Sequence, residues 1–250
     1  MALQSVSTLL ESFGADVWRA DALAQAIGVG AGVVATGHAA LDAQLPGGGW
    51  PVGALCEILQ DHPGQHEWRL LLPVLRSAKG KVVLVGAPHV PFGPGLSAQG
   101  LDLSQVVWVQ AESVPDRLWA AEQALRCAGV QALLLWLPSV RSDHLRRLHL
   151  AAQAQAKWLW VMRPASAQDE SSPAVLRLSL GEPASAGGQS AAQPGSDRSC
   201  LSLGLPVRIL KRRGPPLAQV LDLPARPAQL SVLLTVQGSG HALDRLAATA

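Results

Sequence analysis

Residues 54–77 read as a strand–loop–helix junction, where phosphate chemistry is commonly done, but the loop offers none of the side chains that chemistry needs. Residues 54–59 are a short apolar run suited to a buried parallel strand, and residues 67–77 carry enough leucine to pack as the following helix. A loop between such elements binds phosphate when glycines let backbone N–H groups converge, a lysine reaches the β/γ-phosphates, and a Ser/Thr holds magnesium. Laid without gaps on G-x-x-x-x-G-K-[ST], with the first glycine immediately after the strand, Gln60 and Gln65 take the glycine positions. His66 then takes the lysine position and Glu67 the hydroxyl position. Pro63 removes one N–H from the would-be cradle. Asp61 and Glu67 put carboxylates where a triphosphate needs cations; two like charges about 4 Å apart repel by roughly 4 kcal/mol at an effective dielectric near 20. Nucleotide turnover is not expected from this loop.

The flanks keep a recognisable pattern. Thr36-Gly37-x-x-Ala40-Leu41-Asp42, then Leu45, Gly47 to Gly49, Pro51, Gly53 and Glu57-Ile58, resemble the approach to the phosphate loop in the RecA family. The GGGWP turn, with Val17-Trp18-Arg19 upstream, resembles the ImuA branch, RecA-related accessory proteins of bacterial translesion synthesis, some of them described as SulA-like. The resemblance runs from Asp16 to Leu223 and is strongest over residues 34–58. It implies an α/β fold: a RecA-like P-loop-type core with a mainly parallel sheet, a degenerate nucleotide site and a C-terminal β hairpin.

The resemblance also implies where the remaining nucleotide chemistry would sit. The run KVVLVG at residues 81–86 reads as a second central strand, ending at Ala87-Pro88-His89. RecA relatives carry a water-activating glutamate just after this strand, and here Pro88 stands in its place. The run ALLLWL at residues 132–137 reads as a fourth strand, where relatives close with a magnesium-holding aspartate; here Trp136 stands instead. The degenerate nucleotide site is thus Gln60, Gln65, His66, Glu67, Pro88 and Trp136, and neither nucleotide turnover nor a cofactor is expected.

Length and composition bound what such a chain can be. At 250 residues, with 48% hydrophobic and 15% charged residues, one large α/β domain with terminal extensions is the simplest expectation. No apolar run reaches the roughly eighteen residues a membrane helix needs, and no signal pattern opens the chain, so a cytoplasmic protein without membrane attachment is expected. Cys56, Cys127 and Cys200 are far apart and lack a C-x-x-C pair, which argues against disulfides or zinc and for buried thiols. A net charge of +2 leaves nucleic-acid binding open.

Along the chain, residues 1–32 read as an N-terminal helical segment, 33–224 as the core and 225–250 as a tail. Trp18 and Arg19 either cover the core edge or face a partner. Residues 106–110 read as a strand and 115–128 as an amphipathic helix. Residues 142–156 form a helix whose Arg146, Arg147 and His149 alternate with Leu145, Leu148 and Leu150, giving one basic side that is either solvated or a contact for DNA or a partner. KWLWVM at residues 157–162 is a fifth strand with both tryptophans on one face, read as core packing over base stacking. Residues 164–173 lie where RecA relatives carry a DNA-binding loop, here short and acidic through Asp169-Glu170. Residues 181–199 have the Gly/Ser/Ala/Gln composition of a disordered insertion, between strands at 175–180 and 201–202. Residues 207–223 read as a hairpin around Lys211, Arg212 and Arg213, the one dense basic cluster, which is either a solvated tip or a phosphate contact. Leu230, Val232 and Leu234 form an apolar patch in the tail that packs either on the sheet or on a partner.

Asp61, His62 and His66 do not make a metal site, because Pro63-Gly64 interrupt any regular ligand spacing, and no G-x-S-x-G elbow supports a hydrolase. The resemblance implies a non-catalytic accessory protein of SOS-induced, error-prone translesion synthesis, assembling with an ImuB-type Y-family polymerase-like protein. RecA is a second expected partner, and DNA a weak one. The rivals are a SulA-like cell division inhibitor and a divergent DNA-dependent ATPase.

Overall fold

The computed structural model describes residues 32–181, 204–214, 217 and 219–224, and the architecture is that of these residues. The elements begin with a two-residue strand β1 (Val33–Val34), a short helix α1 (Ala39–Asp42) and a second short strand β2 (Trp50–Pro51). The central strand β3 (Ala54–Gln60) follows, then α2 (Glu67–Leu75), β4 (Lys81–Val85), α3 (Gly93–Ala98) and β5 (Val106–Val109). After these come α4 (Val114–Arg126), β6 (Val130–Trp136), α5 (Ser142–Ala154), β7 (Trp158–Pro164), β8 (Leu176–Leu180), β9 (Gly204–Lys211) and β10 (Val220–Pro224).

Strands β3 to β10 form one sheet in the order β10-β9-β8-β3-β7-β6-β4-β5. From β8 through β5 every neighbouring pair is parallel, and β9 and β10 close the sheet as an antiparallel hairpin. All seven residues of β3 are buried, as expected of a strand covered on both faces, and its sequence accordingly shows no apolar/polar alternation. The fold is therefore mixed α/β with a large, mostly parallel sheet and a C-terminal antiparallel hairpin.

Two cores sandwich the sheet. On one face Cys56, Ile58, Trp158 and Trp160 pack with the leucines of α2, with Leu96 of α3 and with Val207 and Ile209 of β9. On the other, Leu55, Leu133, Leu159 and Val161 pack with Leu118, Ala121 and Leu125 of α4 and with Leu145, Leu148 and Ala152 of α5. Period-2 alternation along β7 sends Trp158 and Trp160 to the same side, with ring centroids 6.1 Å apart, and Trp160 meets Trp50 edge-to-face at 5.7 Å. Core packing is thus the role of this tryptophan pair.

The GGGWP turn is demanded by geometry. Gly47 and Gly48 have φ of 80° and 78°, and a Cβ on Gly49 would lie 2.2 Å from the Val34 carbonyl oxygen. With these glycines, β2 can pair with β1 in register, Val34 opposite Trp50. Thr36 then closes a small loop: its N–H donates to Asp42 Oδ1 at 2.8 Å. Gly37 lies against Pro73, where a Cβ would come within 2.3 Å of the proline Cβ. Pro73 sits inside α2 and cannot donate to the carbonyl four residues earlier. His38 lies against the same helix, with its Nε2 3.2 Å from the Leu70 carbonyl.

Several expectations change in detail. Cys56 is buried, and burial pushes its thiol well above the ordinary range, but Cys127 at the end of α4 is exposed, so it is not a buried thiol. Leu150, expected among the apolar positions of α5, is 56% exposed, while Leu145 and Leu148 carry the packing. The strand at residues 81–86 ends at Val85, because Gly86 turns with φ of 66°. The helical segment at 1–32, apart from Gly32, the insertion at 182–199, the strand at 201–202 and the tail at 225–250 lie outside the described residues.

Candidate functional site

Parallel strands bring their carboxyl ends to one edge, and Gln60, Val85 and Trp136 end β3, β4 and β6 there. The β3–α2 loop opens with Gln60, which is buried at 1% exposure, and runs through Asp61, His62, Pro63 and Gln65, all exposed. Its turn depends on Gly64, with φ of 96°, packed so closely that a Cβ would meet the His89 ring at 2.5 Å.

The loop converges N–H groups on a carboxylate although it lacks the glycines of a phosphate loop. Glu67, the first residue of α2, is fully buried and turns its carboxylate back into the loop. Gly64 N–H donates to Oε1 at 2.6 Å, His66 N–H donates to Oε2 at 3.1 Å, and the Trp136 indole N–H donates to Oε1 at 2.9 Å. The helix N-terminus adds its positive dipole end. Of the two carboxylates expected to oppose a triphosphate, Asp61 faces solvent and Glu67 lies inside the loop, satisfied by N–H groups. His66, in the lysine position, makes a poor cation. Burial lowers its pKa from 6.5, and the Arg69 charge lowers it further, so the ring is neutral at pH 7.

Trp136 is held from both ends. Its carbonyl accepts from Arg117 Nη1 at 3.0 Å, and the same guanidinium donates through Nε to the Ala111 carbonyl at 2.8 Å. A cleft of about 260 Å³ lies beside the cradle, walled by Trp68, Pro88, Pro91, Phe92 and Trp136 and bordered by His89. Val90 and Phe92 on its rim are 71% and 72% exposed. The fold thus brings Glu67, Pro88 and Trp136 together around one cleft.

A second polar centre was not read from the sequence. Glu57, alone among apolar neighbours in β3, is fully buried between two arginines: Oε1 is 3.3 Å from Arg163 Nη1, and Oε2 is 2.7 Å from Arg177 Nε. Arg163 also meets Glu170 at 2.6 Å, and Arg177 donates to the carbonyls of Ala167 and Gln168 at 2.8 and 2.9 Å. The connection between β7 and β8, placed by the family resemblance where a DNA-binding loop would lie, is thereby fastened to the sheet. The signal available was a single carboxylate in β3 facing single arginines in two other apolar runs.

The basic cluster at the end of β9 is partly engaged. Lys211 Nζ donates to the Ser172 carbonyl at 2.9 Å, and Arg212 donates to the Gln44 carbonyl. Arg213 is exposed and near enough to His149 to contribute, after burial, to lowering its pKa. His149 has a structural task on the basic side of α5: its Nδ1 accepts the Leu55 N–H at 3.0 Å, and Arg147 pairs with Glu122 at 2.7 Å. Trp18, Arg19, Leu230, Val232 and Leu234 lie outside the described residues. Among the described residues no group of three or more His, Cys, Asp or Glu could hold a metal ion, and no helix is long and apolar enough to cross a membrane.

These features describe a mixed α/β protein whose β3–α2 junction buries a carboxylate among N–H donors. No protein-family model matches the chain. Over 99 residues it is 32% identical to the cell division inhibitor SulA of Edwardsiella piscicida, covering 38% of this chain and 59% of that protein. Over 115 residues it is 30% identical to the cell division inhibitor SulA of Photorhabdus laumondii, covering 45% of this chain and 65% of that protein. The chain thus spans about three-fifths of the length of the curated relatives it matches.

Proposed function

We propose that the chain is a non-catalytic, RecA-like accessory protein of the SOS response that works by assembling with other proteins. The observation that carries the non-catalytic reading is the Glu67 carboxylate, which takes the N–H donors that a nucleotide phosphate would need. Pro88 and Trp136, beside it, offer neither a base nor a metal ligand. The partial similarity to SulA supports the SOS setting.

Within that setting, we assign the chain to error-prone translesion synthesis beside an ImuB-type Y-family polymerase-like protein. The same 99 matched residues are 38% of this chain but 59% of the SulA relative, so this chain is the longer protein, with room for surfaces that the relative lacks. A SulA-like division inhibitor is the second reading, favoured by the names of the relatives. Affinity capture with the full chain separates the readings: the polymerase-like protein is expected, and recovery of the tubulin-like division protein without any bypass component overturns the assignment. Purified protein with ATP, magnesium and single-stranded DNA is expected to match the protein-free control for phosphate release.

A further inference from the structure

We infer that the β3–α2 loop is an intact carboxylate-binding cradle whose ligand is Glu67 itself, so that the site is closed by occupancy and not by loss of its donors. The inference deepens the non-catalytic reading and rests on it. Three donors converge on one buried carboxylate, and they come from different parts of the chain: Gly64 and His66 from the loop backbone, Trp136 from the end of β6. Backbone N–H groups in a turn of this kind aim at an anion whatever its source. Gly64 holds the positive φ that points its N–H inward, and Arg117 holds the Trp136 carbonyl from the other side of the sheet edge. The donors are therefore positioned by the fold as well as by the carboxylate they hold. With the side chain of Glu67 removed, the vacated space joins the neighbouring cleft, and a small free carboxylate fits the same donors.

The test is chemical rescue. Glu67→Ala should lower the Tm of the full chain, and formate or acetate at constant ionic strength should restore part of the loss with a saturating dose response. Chloride should not, and wild type should not respond to either salt. Adding Trp136→Phe to Glu67→Ala removes one donor and should weaken the rescue. Inorganic phosphate forms a second arm: rescue by phosphate as well as formate marks a general oxyanion cradle, whereas rescue by formate alone marks one shaped for carboxylate, and both support the inference. Equal responses of Glu67→Ala to formate and chloride would overturn it.

If Glu67→Ala does not fold, Glu67→Gln supplies the readout in solution. The Gly64 and His66 amide protons and the Trp136 indole proton should move upfield together relative to wild type, and unchanged shifts at all three would overturn the proposal. ATP hydrolysis by the wild-type chain would sink the non-catalytic reading, and the rescue experiment reports on the cradle separately.

Discussion

The Trp136 indole N–H and the Glu67 carboxylate meet at 2.9 Å, linking the end of β6 to the start of α2 across 69 residues. Each completes the other: the carboxylate needs a donor when buried, and the indole needs an acceptor. Trp136→Phe keeps most of the ring volume and deletes the donor. It should destabilise the fold by about 1.5–3 kcal/mol, the usual range for a hydrogen bond to a charged group, read as a lower urea midpoint at unchanged slope.

Glycine substitutions in the GGGWP turn should be graded by position. A Cβ on Gly49 would meet the backbone of Val34 at 2.2 Å, with no flexible side chain to move away. A Cβ on Gly48 has nothing within 4 Å, so only the positive φ of 78° opposes it, at about 1–2 kcal/mol. Thermal unfolding should therefore show Gly49→Ala clearly less stable than Gly48→Ala; equal Tm values would disprove the role given to the β1–β2 pairing.

Stability should fall on mild acidification. Burial, reinforced by the Arg213 charge, lowers the pKa of His149 from 6.5, and its Nδ1 is needed as an acceptor for the Leu55 N–H. The unfolded chain therefore binds the proton first as pH falls, so this stability is fully present above about pH 6.5 and is lost as pH drops through the folded-state value. His38 and His66 are lowered in the same direction, each chiefly by burial. Unfolding free energies measured from pH 7.5 down to 5 should decline in wild type and decline less in His149→Gln; identical slopes would remove His149 from the account.

For the hairpin tip, the three basic residues should separate in their effects. Lys211 and Arg212 donate to carbonyls of Ser172 and Gln44, so Arg212→Ala should lower Tm, whereas Arg213→Ala should leave it unchanged. If the tip contacts phosphate, Arg213→Ala should flatten the salt dependence of single-stranded DNA binding by about one unit of slope. A larger change in slope would show that the substitution disturbs more than one contact.

The parallel strands were legible because buried strands are written as apolar runs: residues 54–59, 81–86 and 132–137 each fall on an observed strand to within two residues at either end. The helices α4 and α5 were legible from their periodicity, but Leu150 was misplaced because a leucine beside a polar face can be left outside the contact with the sheet. The short β1–β2 pair escaped notice because two residues carry no period. At the site, the family resemblance pointed to Gln60, Gln65, His66, Glu67, Pro88 and Trp136, but the direction of Glu67 could not be read from the sequence. A lone carboxylate in a sequence looks like a charge facing solvent or ligand, and only folding shows that N–H groups 3 and 69 residues away reach it.

The buried Glu57 network also sets when the centre of the sheet can close. Glu57 finds Arg163 at a separation of 106 residues and Arg177 at 120, and its strand pairs on both sides with these late segments. Contacts of such long range make parallel sheets slow to form. During synthesis at roughly 5–20 residues per second, β3 waits on the order of 5–20 s for its neighbours, an apolar strand with both edges unpaired. Refolding from denaturant should accordingly be slow and sensitive to protein concentration, with β3 the segment most at risk of pairing with the wrong chain.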